Sequence, residues 1–478
     1  MTKSLNDVFL VFLFLFSIFT SCHAILNKRD PRAGFGWVVT SLVFIGFGPC
    51  LYWLFGINRI RTFARKIYHL GRWNHEKKST SDKSSFKLSE DHPFFLKDFR
   101  GILHVSEKVN RHPLMIGNAI WILHNGEEAY PEMLRGIRAA KKFIYLCTYI
   151  FEADKTGFEF VQALGEAQKR GVEVLVLIDG FGDIYSKPSI HHFLKAKGIR
   201  VERFLPLSFS VNSLHFNLRN HRKLLVVDGH VGFTGGMNIR DRHFLGSKNK
   251  KTISDIHFKV EGPAVLELQE VFLEDWFFVT RESLPWEAHP HALLPGYSVC
   301  RVISGGPNED FEKINWILLG ALAWAKTKIQ IMTPYFVPDP SMISALNTAA
   351  LRGVQVEVIL PEKNNLPFVS WANRALLREM LECGVGFYYQ PPPFSHSKLF
   401  VVDESYSLIG SSNWDDRSLK LNFELDLEVY DPAFAQKLSG HFNEVLGKAR
   451  EITLAEIVKD PISEKFRNSL VKLFSPYL

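Results

Sequence analysis

Cysteine is scarce. The 478 residues hold five (Cys22, Cys50, Cys147, Cys300 and Cys383), an odd number with no C-x-x-C spacing, which excludes a disulfide framework and a thiolate zinc site. No H-E-x-x-H stretch and no carboxylate cluster of the hard-cation type occurs, so the expectation is chemistry with neither metal nor other cofactor. Lys, Arg, Asp and Glu are all missing from residues 8–26, VFLVFLFLFSIFTSCHAIL. That run is long enough to cross a bilayer. Residues 34–57 lack the same four types and carry the interface-type aromatics Trp37, Tyr52 and Trp53. Joined only by the polar loop Asn27-Lys28-Arg29-Asp30-Pro31-Arg32, the two runs read as a transmembrane hairpin. The rival for the first is a cleaved secretory or lipoprotein signal ending at Cys22. Burial in these runs is the ordinary explanation for Cys22 and Cys50.

Hydrophobic residues make up 46% of the chain, enough for sizeable cores, and the net charge of +7 suits anionic partners without choosing among them. Basic residues crowd after the second run (Arg59, Arg61, Arg65, Lys66, Arg72, Lys77, Lys78), against three in the short loop. That bias places the long C-terminal part in the cytoplasm. Residues 75–90, charged and Ser-rich, read as a surface linker.

One stretch occurs twice: HRKLLVVDGHVGFTGGMN from His221 and HSKLFVVDESYSLIGSSN from His396. Each carries a histidine, a lysine two residues on and an aspartate five further (His221, Lys223, Asp228; His396, Lys398, Asp403), then a turn ending in Asn238 or Asn413. A single match is weak, and recurrence in matching context is strong. LLVV and LFVV read as short buried strands, whose side chains repeat every two residues, so each histidine shares a face with its lysine. A nucleophilic nitrogen beside a fixed positive charge suits a phosphorus centre, whose oxygens gain charge in the transition state. Asp228 and Asp403 are out of phase with that face; they are members of the motif or, on the ordinary reading, close hairpin turns.

The rest repeats too. Strands at 141–151 and 326–336, helices at 157–170 and 341–352, strands at 171–180 and 353–362, and further strands at 195–204 and 381–390 precede the two histidines in the same order. Alternation of this length implies sheets covered by helices, with the two histidines meeting where the copies join. Asn217, Arg219 and Arg222 flank the first histidine as phosphate contacts or surface charges. Asp255 and Glu424 each start an alternating strand, and a carboxylate there can fix the tautomer of an imidazole.

The paired motifs resemble the HKD motifs of the phospholipase D superfamily. Within it the chain is similar to the bacterial cardiolipin synthases, through RDPRAGFGWVV and LYWLFG, NGEEAY, NLRNHRK, TGGMN, EGP, TPYFVPD, RGVQVEVILPEKNN, RSLKLNFE and the final SPYL. The first apolar run and the loop GSKNKK at 246–251 are its own. The resemblance implies an α/β fold of two pseudo-symmetric phospholipase D-like lobes, each a mixed sheet covered by helices, after the hairpin. The expected domains are 1–58 (two spans), 59–112 (basic linker), 113–295 and 296–478 (the lobes). It implies transfer of a phosphatidyl group between two phosphatidylglycerol molecules, giving cardiolipin and glycerol in the bacterial inner membrane, with cytoplasmic lobes and no nucleic acid. His221 is the implied nucleophile and His396 the acid and base. Lys223, Lys398, Asn238 and Asn413 would hold the non-bridging oxygens, and Asp255 and Glu424 would bind the histidines, with the pairing open. A hydrolase or phosphatidylserine synthase would use the same residues; a nuclease or a non-catalytic scaffold fits the chain less well. Residues 204–209 and the segment with Ile462, Phe466, Leu470 and Phe474 beside Lys465, Arg467 and Lys472 are candidate contacts with lipid. The alternative for the latter is an amphipathic helix packed on its own domain.

Overall fold

The computed structural model describes residues 2–28, 31–56, 94–206, 218–246, 251–285, 294–307 and 312–475. The linker at 59–93, the 207–209 end of one candidate lipid contact, Asn217 and most of the 246–251 loop lie outside the described residues. Contacts divide the chain into two units, Met1–Ile67 and Tyr68–Leu478.

In the first unit, α1 (Thr2–Asn27) contains a stretch, Asp7–Asn27, long and apolar enough to cross a membrane. The second apolar run does not form a matching span. Its helix α2 (Pro31–Val43) has 13 residues, about 20 Å at 1.5 Å per residue, against a hydrocarbon core of about 30 Å. The chain then reverses. Gly46 has φ +84°, and a Cβ on Gly48 would lie 2.1 Å from the Thr40 carbonyl oxygen, a separation only glycine permits. Beyond α3 (Phe47–Leu51) and a π-helical turn at Tyr52–Gly56, the run returns toward the end of α1. The Tyr52 hydroxyl is 2.8 Å from His23 Nδ1, Trp53 Nε1 donates to Thr20 Oγ1 at 3.0 Å, and Lys28 Nζ donates to the Gly56 carbonyl. The expected two-span hairpin is therefore replaced, among the described residues, by one long helix and a run that turns back at FIGFGP. Cys22 and Cys50 are exposed on this unit rather than buried, and all five cysteines are free.

The second unit is built on one 15-stranded sheet. Its first half supplies β1 (Met115–His124), β2 (Phe143–Thr148), β3 (Glu173–Asp179), β4 (Arg200–Phe204), β5 (Leu224–Val227), β6 (Val231–Gly235), the short β7 (Ile253–Ser254) and β8 (Ile256–Glu261). The second half supplies β9 (Ser298–Gly305), β10 (Lys328–Met332), β11 (Phe336–Val337), β12 (Gln355–Pro361), β13 (Gly386–Gln390), β14 (Phe394–Ser395), β15 (Leu399–Val402), β16 (Tyr406–Gly410), β17 (Trp414–Asp415), β18 (Glu424–Tyr430) and β19 (Arg450–Ile452). From an irregular antiparallel pair β1–β9 the order runs outward as β8, β6, β5, β2, β3, β4 on one side and β18, β16, β15, β10, β12, β13, β19 on the other. On both sides the inner pairings are antiparallel and the β2–β3–β4 and β10–β12–β13 pairings parallel. The two expected sheets are thus joined edge to edge into one.

Alternation places the core on both faces. Along β3, Val174, Val176 and Ile178 face one cluster and Leu175 and Leu177 another; along β15, Phe400 and Val402 oppose Leu399 and Val401. Strands buried on both sides read as the continuous apolar runs seen in the sequence. The face shared by both halves is covered by helices Ala264–Thr280 and Pro432–Leu446, with Trp276, Phe272, Phe434 and Phe442 buried there. Asp154, Asp339 and Asp431 cap the helices Lys155–Lys169, Pro340–Leu351 and Pro432–Leu446 by accepting backbone N–H bonds in their first turns, which satisfies otherwise orphaned donors.

Candidate active site

The two motif histidines meet. Their rings are 6.4 Å apart between centroids at an interplanar angle of 74°, and both are buried. Each is carried by backbone of the opposite half: the His221 N–H donates to the Phe423 carbonyl, and the His396 N–H to that of Ser254, beside the parallel pair β7–β14. The acids that follow those carbonyls are thereby crossed. His221 Nδ1 lies 3.1 Å from Glu424 Oε2, and His396 Nδ1 lies 3.0 Å from Asp255 Oδ2. With Nδ1–H donating to a carboxylate, each Nε2 is left as the acceptor nitrogen of its ring. Lys223 donates to the His221 carbonyl, and Lys398 donates to that of His396 while its ammonium stays within 3.2 Å of both ring nitrogens.

The two pairs are chemically unequal. Ser411 Oγ donates to Glu424 Oε2, the oxygen facing His221, at 2.5 Å, and Asn422 donates to Oε1. The corresponding turn in the first half has Gly236, where a Cβ would sit 2.4 Å from Asp255 Oδ1, so no serine fits. Asp255 is bonded instead by the N–H of Ile256. Burial raises Glu424, but the charges of His221 and Lys223 and the Ser411 hydroxyl outweigh it and leave the acid below its ordinary range. Burial lifts Asp255 to about 7, with Lys398 opposing. Burial also lowers His221 to about 4 against the pull of Glu424, and takes His396, with Lys398 beside it, well below its ordinary value. Lys223 falls to about 7 and Lys398 to about 8 for the same reason. One imidazole is therefore backed by an ionised carboxylate, and the other shares a proton with an acid that holds one near neutrality.

Asp228 and Asp403 are not brought to the histidines. Seven residues on at about 3.3 Å each, they lie about 20 Å away along the strands. Both have positive φ in the turns after β5 and β15. The Asp228 carboxylate accepts the backbone N–H groups of Lys141, Lys142 and Phe143, and Asp403 those of Lys326, Thr327 and Lys328. They close turns and pin the starts of β2 and β10. Asn238 accepts the Ile150 N–H through its side chain, and Asn413 donates to Ser418, so both amides are engaged by the scaffold. Arg219 and Arg222 are not surface charges. Arg222 bonds Asp275 and the carbonyls of Gly305 and Glu424, tying the first motif to the second half, and Arg219 lies 3.8 Å from Asp179.

Sequence reasoning missed Tyr149 and Tyr335, which stand edge-on to His221 and His396 at 5.3 and 6.2 Å. Their signal was their place just past the ends of β2 and β10. Ser411 was also missed; its signal was the glycine-to-serine difference at the second position of GGMN and GSSN. Among the described residues, His112, Glu267 and Glu270 are the only group with metal-ligand proximity; the ion pair of His112 with Glu267 at 2.6 Å accounts for it, and none belongs to the histidine site.

A family model described as "Cardiolipin synthase, PLD-like domain" matches residues 133–276 and 318–446, one segment around each histidine. The chain belongs to this family. A cardiolipin synthase of Geobacillus thermodenitrificans is 32% identical over 97% of this chain and 94% of its own length. One from Staphylococcus aureus is 30% identical over 99% and 97%. Among solved structures, the phosphatidylserine synthase of Haemophilus influenzae covers 79% of this chain and all of its own, with a TM-score of 0.60 at 17% identity, a likeness of fold. The matches span nearly the whole of both relatives, and both histidine motifs fall inside the family segments.

The positions of Asp228 and Asp403 predict a structural role. Asp228→Ala removes three charge-assisted bonds and is expected to cost roughly 1–3 kcal/mol of stability, read as a lower midpoint in thermal unfolding. Activity per folded molecule should stay near wild type. A folded but inactive Asp228→Ala protein would return this aspartate to the chemistry.

Proposed function

We propose that this chain is a cardiolipin synthase that moves a phosphatidyl group from one phosphatidylglycerol to the hydroxyl of another. The observation that carries the reading is the crossed pair of carboxylate-bound imidazoles facing one another. His221 Nε2 attacks the phosphodiester phosphorus, a P–N bond forms, and the P–O bond to glycerol breaks. The glycerol oxygen takes its proton from the His396–Asp255 pair. The hydroxyl of the second phosphatidylglycerol then gives its proton to that pair and attacks the phosphohistidine, whose P–N bond breaks. Two phosphatidylglycerol molecules become cardiolipin and glycerol, and every group is restored. Each proton transfer contributes about 10²–10⁴-fold, and the covalent step divides one displacement into two. Lys223 and Lys398 carry the charge that develops on the non-bridging oxygens. The inequality of the pairs supports His221 as nucleophile, since Glu424 stays ionised behind it while Asp255 keeps a proton available to His396.

The membrane segment supports a reading of its own. We infer that the chain crosses the bilayer once, through α1, and that the second run is re-entrant. Lys28, Arg29 and Arg32 then share a side with Arg59, Arg61, Arg65 and Lys66, which the positive-inside bias assigns to the cytoplasm together with the catalytic unit. In a two-span hairpin the first three would be outside. Reporters at the N-terminus and after Leu478 should therefore respond on opposite sides of the membrane; responses on the same side would restore the hairpin.

Phosphatidylglycerol as sole substrate should give cardiolipin and glycerol in equal amounts, and added glycerol should drive cardiolipin back. Phosphatidic acid without cardiolipin would make the chain a hydrolase. The roles of the histidines separate with a phosphatidyl ester of p-nitrophenol, whose leaving group needs no proton. His396→Asn should release nitrophenol and keep the phosphatidyl group on His221, seen by mass spectrometry without acid. His221→Ala should release none; label on residue 396 in that variant would reverse the assignment.

A further inference from the structure

The helix Ile462–Lys472 is docked with its polar side inward. Asn468 is 2% exposed and accepts from Arg467, whose guanidinium lies 4.6 Å over the ring of Trp371. The turn before the helix is clamped by Arg374, which bonds both oxygens of Asp460 and reaches Glu456. Val471 packs against the core beside Asn468, and the other large apolar residues face the other way: Ile462 is 83% exposed, Phe466 70%, Leu470 48%, Leu473 74% and Phe474 57%. At 100° per residue these five occupy an arc of about 120°. Lys465 and Lys472 lie on one flank of that arc, and Glu464 lies on the opposite, protein-facing side. Val458, 48% exposed in the preceding helix Leu454–Lys459, extends the patch.

A soluble surface gains nothing from turning five large apolar side chains outward while spending its polar residues on the protein contact, and such patches mark contacts with another apolar phase. We propose that this helix is a bilayer-docking surface of the catalytic unit, its apolar arc lying in the interface and its flanking lysines on anionic head groups. It is the reverse of the ordinary amphipathic packing, and it supplies what an interfacial helix needs, a wide apolar face with cationic edges. The choice of an anionic bilayer over a second copy of the chain rests on that charge and on the reading that the substrate is phosphatidylglycerol, itself an anionic lipid of the membrane.

The test uses the full chain in nanodiscs, spin-labelled at Phe466→Cys with Cys22→Ser, Cys50→Ser and, for the partly exposed Cys383, Cys383→Ser. In discs of mixed phosphatidylcholine and phosphatidylglycerol the label should collide with oxygen more than with a water-soluble nickel chelate. In discs of phosphatidylcholine alone that preference should weaken. A label open to the chelate in both discs overturns docking, and a label dipolar-coupled to a second label in discs and detergent alike makes the face an interface between copies. In a separate arm, Phe466→Glu with Leu470→Glu should lower cardiolipin formation about tenfold on bilayer substrate, a loss of about 1.4 kcal/mol of interfacial binding, and leave short-chain phosphatidylglycerol in detergent within about twofold of wild type. Equal loss on both substrates would mean that the substitutions act on the fold. The collision readout needs no turnover, so a chain that made no cardiolipin would sink the enzymatic reading and leave docking decided by the label.

Discussion

Two imidazole–carboxylate contacts, each made between halves of the chain, are the constraint on which the catalytic unit depends. His221 reaches Glu424 and His396 reaches Asp255. Neither half can hold its own histidine. The continuous sheet follows from this need: β1 and β9 join the halves, the shared apolar face keeps them from shearing, and Arg222 bonds the Glu424 and Gly305 carbonyls from the first motif. A buried ion pair is a poor source of stability by itself, since desolvation offsets its attraction. Here it sets position, and the apolar core around it supplies the stability.

Desolvation also sets the protonation states. In water both imidazoles would titrate near 6.5. Burial removes that charge, which leaves two neutral rings. Equal surroundings would make them interchangeable, and the exchange of Gly236 for Ser411 between the turns, with aspartate in one pair and glutamate in the other, makes them different. A hydroxyl on Glu424 stabilises its anion, while the shorter Asp255, beside glycine, receives a backbone N–H besides its histidine and keeps its proton to higher pH.

The sequence showed the histidines and lysines because they recur, and it showed the strands because residues buried on both faces leave unbroken apolar runs. The crossed pairing was hidden: 203 and 141 residues separate the partners, and strand periodicity says nothing about which half supplies a carboxylate. Asp228 and Asp403 carried two readings in the sequence, because recurrence marks structural needs as faithfully as chemical ones, and both β2 and β10 have their first N–H groups bound by them. For Arg219 and Arg222 the surface-charge alternative fails, since composition cannot tell a buried guanidinium from a solvated one. The second apolar run was long enough to cross a membrane by hydropathy alone. What hydropathy averages away is the reversal at Gly46, Gly48 and Pro49, a property of backbone angles and close approach.

The same burial bears on which acceptor the site uses. Water is the commonest hydroxyl available, and a phosphohistidine open to it would give phosphatidic acid. Tyr149 and Tyr335 stand edge-on to the two rings, and Phe394 packs 6.1 Å from His396. Aromatic rings from both halves thus stand beside the two imidazoles. An acceptor delivered from the bilayer arrives with its hydroxyl already oriented, an entropic advantage of several kcal/mol over free water. In such a site the choice between synthesis and hydrolysis lies in how substrates enter, and the residues that perform the chemistry can be the same for both.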